Sequence, residues 1–135
     1  MNFFIVSDDQ STGFILSKII KDYNLGSIFE YSYSKFILDN HLLDLKNIDI
    51  LIVNSSIPFH NRLSPEFNGK VIVVSQINDK KTIAQAYSLG VEYYITKPIN
   101  QFEVIGVIKK VVELIKLQKC MYNIRKISSL VETKT

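Results

Sequence analysis

The sequence predicts an α/β fold, a doubly wound sheet of five parallel strands, on three observations. Five apolar or β-prone runs of strand length, at 3–6, 28–33, 48–53, 71–74 and 91–96, recur along the 135 residues. The segments between them are mostly helical in spacing, which is the βα alternation of a parallel sheet and not the short-turn spacing of hairpins. Runs one, three, four and five each stop at polar residues, namely Asp8-Asp9, Asn54, Ser75 and Lys97. Right-handed crossovers place those four ends on one rim, where open α/β sheets hold their sites.

The elements follow in chain order. Phe3-Phe4-Ile5-Val6 reads as a buried first strand delivering two carboxylates to its end. The polar cluster 7–12 opens a helix in which Phe14, Ile15, Ile19 and Ile20 recur at helical spacing to about Tyr23, with Gly26 as its stop. Residues 28–33 alternate aromatic positions at Phe29, Tyr31 and Tyr33 and read as an edge strand. A second amphipathic helix is expected over 34–45. The run 48–53, nearly all apolar and broken at Pro58, reads as an interior strand buried on both faces. Between Pro58 and Gly69, the further Pro65 leaves room for about one helical turn, so the third helix is shortened. Val71–Val74 is the fourth strand, Asp79 caps a helix to about Leu89 with Ile83, Ala86 and Tyr87 inward, and 91–96 is the fifth strand. Asn100 then caps a last helix whose apolar residues run beyond the needs of one domain.

A chain of this length makes one core without staples. Its single cysteine, Cys120, has no intramolecular partner, and no leader or bilayer-length apolar run is recognisable, so a soluble cytoplasmic protein is expected. Basic charge is concentrated at one end. From residue 109 onward seven basic residues face only Glu113 and Glu132, a net +5, while the first 108 residues carry −2. The high pI therefore belongs to the last helix, and with Arg62 and Arg125 the only arginines, direct nucleic-acid binding is not expected. His41 and His60 lack ligand spacing, so no zinc site is expected. One glycine in 7–13 is too few for a loop cradling a nucleotide or flavin phosphate, which disfavours the alternative of a small-molecule-binding domain on the same rim.

An acidic pair after strand one, Asn54 with proline four positions on at Pro58, Ser75 after strand four, and Lys97-Pro98 after strand five form a constellation. It resembles the CheY-like receiver domain of bacterial response regulators, over residues 1 to about 115. The stretch from Ala86 to Asn100 is similar to the receiver of glutamine-utilisation regulators of Gram-positive bacteria. The resemblance implies a flavodoxin-like strand order 2-1-3-4-5, Asn54 at the phosphoacceptor position, and Asp8, Asp9, Ser75 and Lys97 as site remnants. It makes Asp8 the principal metal-binding acid and Tyr94 the switch aromatic.

The departures matter as much as the matches. Family members attack a phosphoryl donor with an aspartate, helped by Mg²⁺ on carboxylates. A carboxamide at Asn54 is neutral, a poor nucleophile and a weak ligand for a hard cation. Ser7 stands in place of the first acid, and the connection 58–69 is short. Three coincident departures read as natural loss of the chemistry, leaving no enzyme activity, Mg²⁺ binding weak or absent, no other cofactor, and a salt bridge between Lys97 and Asp8. Leu114, Leu117, Met121, Ile124, Ser128 and Val131 follow three-four spacing, a short heptad pattern, and residues 116–135 form an extension or linker. The expected role is a pseudo-receiver acting as an interaction module. It would pair through the face of the fourth helix, fifth strand and fifth helix or through the last helix, or serve an output domain or partner regulator. A receiver cut from a DNA-binding regulator is the other reading.

Overall fold

In the computed structural model, residues 1–7, 9–32, 47–54, 67–76, 80, 84, 91 and 93–133 are described. Five strands, β1 (Asn2–Ser7), β2 (Ser27–Ser32), β3 (Ile50–Asn54), β4 (Lys70–Gln76) and β5 (Tyr93–Lys97), join in one sheet in the order β2-β1-β3-β4-β5. Every neighbouring pair is parallel, with β1 and β3 in register from Phe3 opposite Ile50 to Val6 opposite Val53. This is the expected flavodoxin-like sheet. β2 lies at its edge, with Phe29 53% exposed, as the alternating aromatic pattern requires.

Alternation along the strands divides the core in two. Phe3, Ile5, Ile50, Ile52, Ile72, Val74 and Ile95 face the two described helices, α1 (Gln10–Asp22) and α2 (Gln101–Thr133), and join Leu16, Ile20, Val104 and Ile108 in one cluster. Phe4, Val6, Leu51, Val53, Val73 and Val91 form a second cluster on the other face. All five residues of β3 are buried, which explains why its run lacks strand alternation. The helices expected over 34–45 and 79–89 and the shortened connection after Pro58 lie outside the described residues, except that Lys80 and Ala84 are helical and exposed.

Of the apolar residues at helical spacing in α1, Ile19 and Ile20 are buried while Phe14 and Ile15 are 69% and 41% exposed, and Thr12, Leu16 and Ser17 complete the buried side. One expectation for α1 needs correction. The helix stop is Asn24, not Gly26. Asn24 has φ 52, and its N–H donates to the Lys21 carbonyl while the Leu25 N–H donates to the Ile20 carbonyl, a complete left-handed cap. Gly26 is required two residues later for space, because a Cβ there would lie 2.1 Å from the Met1 carbonyl oxygen where β2 starts alongside β1.

Asp49 organises the opposite edge of the sheet. Its carboxylate accepts the Asn2 N–H at 2.8 Å, its own N–H donates to the Asn2 carbonyl, and its carbonyl accepts the Lys70 N–H. The starts of β1, β3 and β4 are thereby locked in step. α2 begins where expected, with Asn100 Oδ1 accepting the N–H groups of Phe102 and Glu103. Val104, Ile108, Val111 and Ile115 bury one side of it, and from Lys116 to Leu130 every side chain is exposed.

Substitutions at the α1 turn should act in opposite directions. Asn24→Gly relieves the left-handed backbone and should stabilise the fold by roughly 0.5–1 kcal/mol. Gly26→Ala forces β1 and β2 apart and should cost about 1–3 kcal/mol. Urea unfolding of the two variants beside the parent chain measures both.

Candidate functional site

The rim at the C-terminal ends of the strands is built from short polar contacts. β1 ends at Ser7, whose hydroxyl donates to the Asp9 carbonyl at 2.7 Å and accepts the Asp9 N–H at 3.1 Å. Asp9 is thereby placed as the N-cap of α1. Its Oδ1 accepts from the Ser11 N–H at 3.0 Å and the Ser11 hydroxyl at 2.8 Å, and its Oδ2 accepts from the Thr12 hydroxyl at 2.8 Å. Those bonds hold the Asp9 carboxyl down at about 2, the Ser11 hydroxyl contributing most, with the Lys97 charge a lesser cause in the same direction.

Asn54 closes β3 and is 5% exposed. It follows Ile50 and Ile52 on the face that packs beneath α1 and α2, and β1–β3 register brings it level with Ser7. Ser75 is 2% exposed, and its hydroxyl donates to the Gln76 carbonyl at 3.0 Å. It stands opposite Thr96 in the ladder, as Gln76 stands opposite Lys97. Tyr94 is half-buried against the second core cluster, its hydroxyl donating to the Val91 carbonyl at 3.0 Å. Asp8, and with it the expected metal ligand and the salt bridge to Lys97, lies outside the described residues.

One pair at this rim was not singled out from the sequence. The Thr96 N–H donates to Glu103 Oε1 at 2.8 Å, and its hydroxyl reaches both Glu103 carboxylate oxygens at 3.0 and 2.9 Å. Glu103 sits in the first turn of α2, so the clamp fixes the segment that carries Lys97. The signal was present in Asn100-x-x-Glu103, the spacing of a capping pair, but the glutamate reaches back to the strand instead of to the cap.

A hard divalent cation is held by oxygen ligands, commonly one or two carboxylates with waters. Among the described residues, the carboxylates of this rim, Asp9 and Glu103, are both engaged in hydrogen bonds, and no cluster of three potential metal ligands occurs. Asn54 adds a neutral amide.

The depressed Asp9 carboxyl has a consequence for acid stability. A group ionised more readily in the fold than in the unfolded chain stabilises above its ordinary range near 3.8 and loses that contribution as pH falls toward about 2. Asp9→Asn should therefore be less stable than the parent at pH 6, with the difference shrinking steadily as denaturation is repeated from pH 4 down to pH 2. A difference that does not change with pH would mean that the ionised cap contributes nothing.

No family model matches the chain. It is 36% identical over 124 residues to the transcriptional regulatory protein GlnL of Bacillus subtilis (strain 168), a match covering 87% of this chain and 40% of that protein. The chain thus spans less than half the length of this relative. Among solved structures it is similar to NtrX from Brucella abortus, with TM-score 0.70 and 15% identity over 93% of this chain and 29% of the other. It is also similar to a response regulator receiver protein from Pseudoalteromonas atlantica, with TM-score 0.63 and 14% identity over 84% and 98% of the two chains. No helix among the described residues is long and apolar enough to cross a membrane. The parallel sheet in the order β2-β1-β3-β4-β5 and the kinship with a regulatory protein agree: this chain has the CheY-like receiver fold.

Proposed function

We propose that this receiver works as a protein-interaction module in transcriptional or signalling control without being phosphorylated by the aspartyl route. The observation that carries the reading is Asn54, buried at the end of β3 where the family resemblance puts the phosphoacceptor aspartate. A carboxamide has no anionic oxygen to attack a phosphoryl group, and phosphoryl transfer depends on positioned charge and metal. Asp9, Ser75 and Lys97 are read as remnants of that site with structural duties, Asp9 as the cap of α1 and Ser75 bonded to its neighbour's carbonyl. Tyr94 stays the switch aromatic in this reading, its hydroxyl tied to Val91.

Signal then enters through partner binding. GlnL is named a transcriptional regulatory protein, and the 60% of it beyond the match leaves room for an output domain, so a role in transcription control is the natural extension. In this reading residues 1–115 are the receiver body and 116–135 an extension that links it to a second copy, an output domain or a partner regulator.

The test is direct. The chain is incubated with acetyl phosphate and Mg²⁺, beside a receiver that retains its aspartate, and both are weighed by intact mass spectrometry. The account expects a phosphorylated species from the control and none from this chain. A phosphoryl adduct on this chain at the rim would overturn it.

A further inference from the structure

The chain enters β4 through Asn68-Gly69, the one place in the sequence where glycine follows an asparagine. Asn68 is exposed and lies outside regular secondary structure, and the pair directly precedes Lys70, the first residue of β4. Both residues line a groove of about 560 Å³ at the N-terminal edge of the sheet, together with Asp49 and with Gln118, Lys119 and Tyr122 of α2. Strand register is set at this point. The Lys70 N–H donates to the Asp49 carbonyl at 2.9 Å, and Lys119 Nζ lies 3.5 Å from Asp49 Oδ1. Gly69 is required by space, since a Cβ there would lie 2.6 Å from the Asp49 carbonyl oxygen and 2.6 Å from the Phe67 ring. The fold thus holds an asparagine and a glycine together where the central strands are aligned.

We propose that Asn68 is a site of spontaneous deamidation, through a cyclic imide closed on the Gly69 nitrogen. That nitrogen attacks the carbonyl carbon of the Asn68 side chain. A C–N bond forms, the attacking nitrogen gives up its proton, and the side-chain nitrogen leaves as ammonia. Water then adds to one of the two imide carbonyls, and the ring opens to an aspartate or to an isoaspartate, in which the main chain runs through the former side chain. Nothing is oxidised or reduced, and water is the only co-reactant.

Three features select this asparagine. Ring closure needs a following nitrogen unhindered by a side chain, which glycine alone offers. It needs an amide free to swing back onto that nitrogen, and an exposed residue outside helix and strand has this freedom. Asn54 is buried at the end of β3, and Asn100 is committed to the N-terminal cap of α2. The second half of the reaction needs water, which an open groove admits. Both products disturb the start of β4. Aspartate adds a second carboxylate to the groove that holds Asp49 and Lys119. Isoaspartate lengthens the main chain by one methylene just ahead of Lys70, whose N–H ties β4 to the start of β3. The isoaspartyl chain therefore unfolds more readily than the parent.

Ageing of the full chain tests the proposal. The parent and Asn68→Gln, whose longer side chain closes the imide far more slowly, are kept warm in mildly acidic and in mildly basic buffer. Peptide mapping by mass spectrometry follows every asparagine, and chromatography separates aspartyl from isoaspartyl peptides. In the parent, the peptide holding Asn68 should gain the mass difference between an amide and an acid before any other, and faster in base, where the attacking nitrogen loses its proton more easily. The aged parent should then show a fraction that unfolds at lower urea than the fresh chain. Asn68→Gln should keep its transition through the same treatment. Asn68→Asp, which adds the charge without lengthening the chain, should stay closer to the parent than the isoaspartyl fraction does. An Asn68 that persists while another asparagine is lost, an isoaspartyl fraction with the transition of the fresh chain, or equal ageing of Asn68→Gln would overturn the proposal.

Discussion

Burial of β3 on both faces is the constraint from which the rest of the domain follows. Ile50, Leu51, Ile52, Val53 and Asn54 are all buried, so this strand can lie only between other strands and under cover on either side. β1 and β4 flank it, and Asp49 at its start bonds to both Asn2 and Lys70. Because the three strands start in step, their ends reach the rim in step, and Asn54 arrives level with Ser7. The polar rim is thus a consequence of register set at the opposite edge of the sheet. A buried carboxylate at that point would need a paired charge to remain ionised. A buried carboxamide such as Asn54 does not.

The same rim has found other uses for its polar groups. Asp9 spends both carboxylate oxygens on the first turn of α1, and Glu103 spends both on Thr96. Each contact ties a strand end to the helix that follows it. The described carboxylates of the rim serve as local braces. The outward half of α2 shows the converse. Its apolar stripe turns away from the sheet once Ile115 is buried, so the domain's core ends there while apolar surface continues.

Much of this was legible in the sequence, and the failures have physical causes. The apolar runs of β1, β3 and β4 were unambiguous because interior parallel strands carry no polar face. The edge position of β2 followed from its alternation. The helix stop was assigned to Gly26 because glycine is the commoner left-handed cap, whereas Asn24 performs it. Asn54, Ser75 and Lys97 were identifiable as polar ends of apolar strands, but the Thr96–Glu103 clamp was not, since its spacing is also that of an ordinary capping pair. In the last helix Leu117, Met121 and Ile124 of the expected heptad are exposed, beyond Ile115 where the buried stripe ends.

The central claim is that a receiver fold is kept here without its chemical switch. The most direct measurement follows the backbone amides of Ser7, Asn54, Ser75 and Lys97 by NMR while beryllofluoride and Mg²⁺ are added. The account predicts no saturable change at these four positions. A saturable shift centred on Asn54 and reaching Lys97 would contradict it.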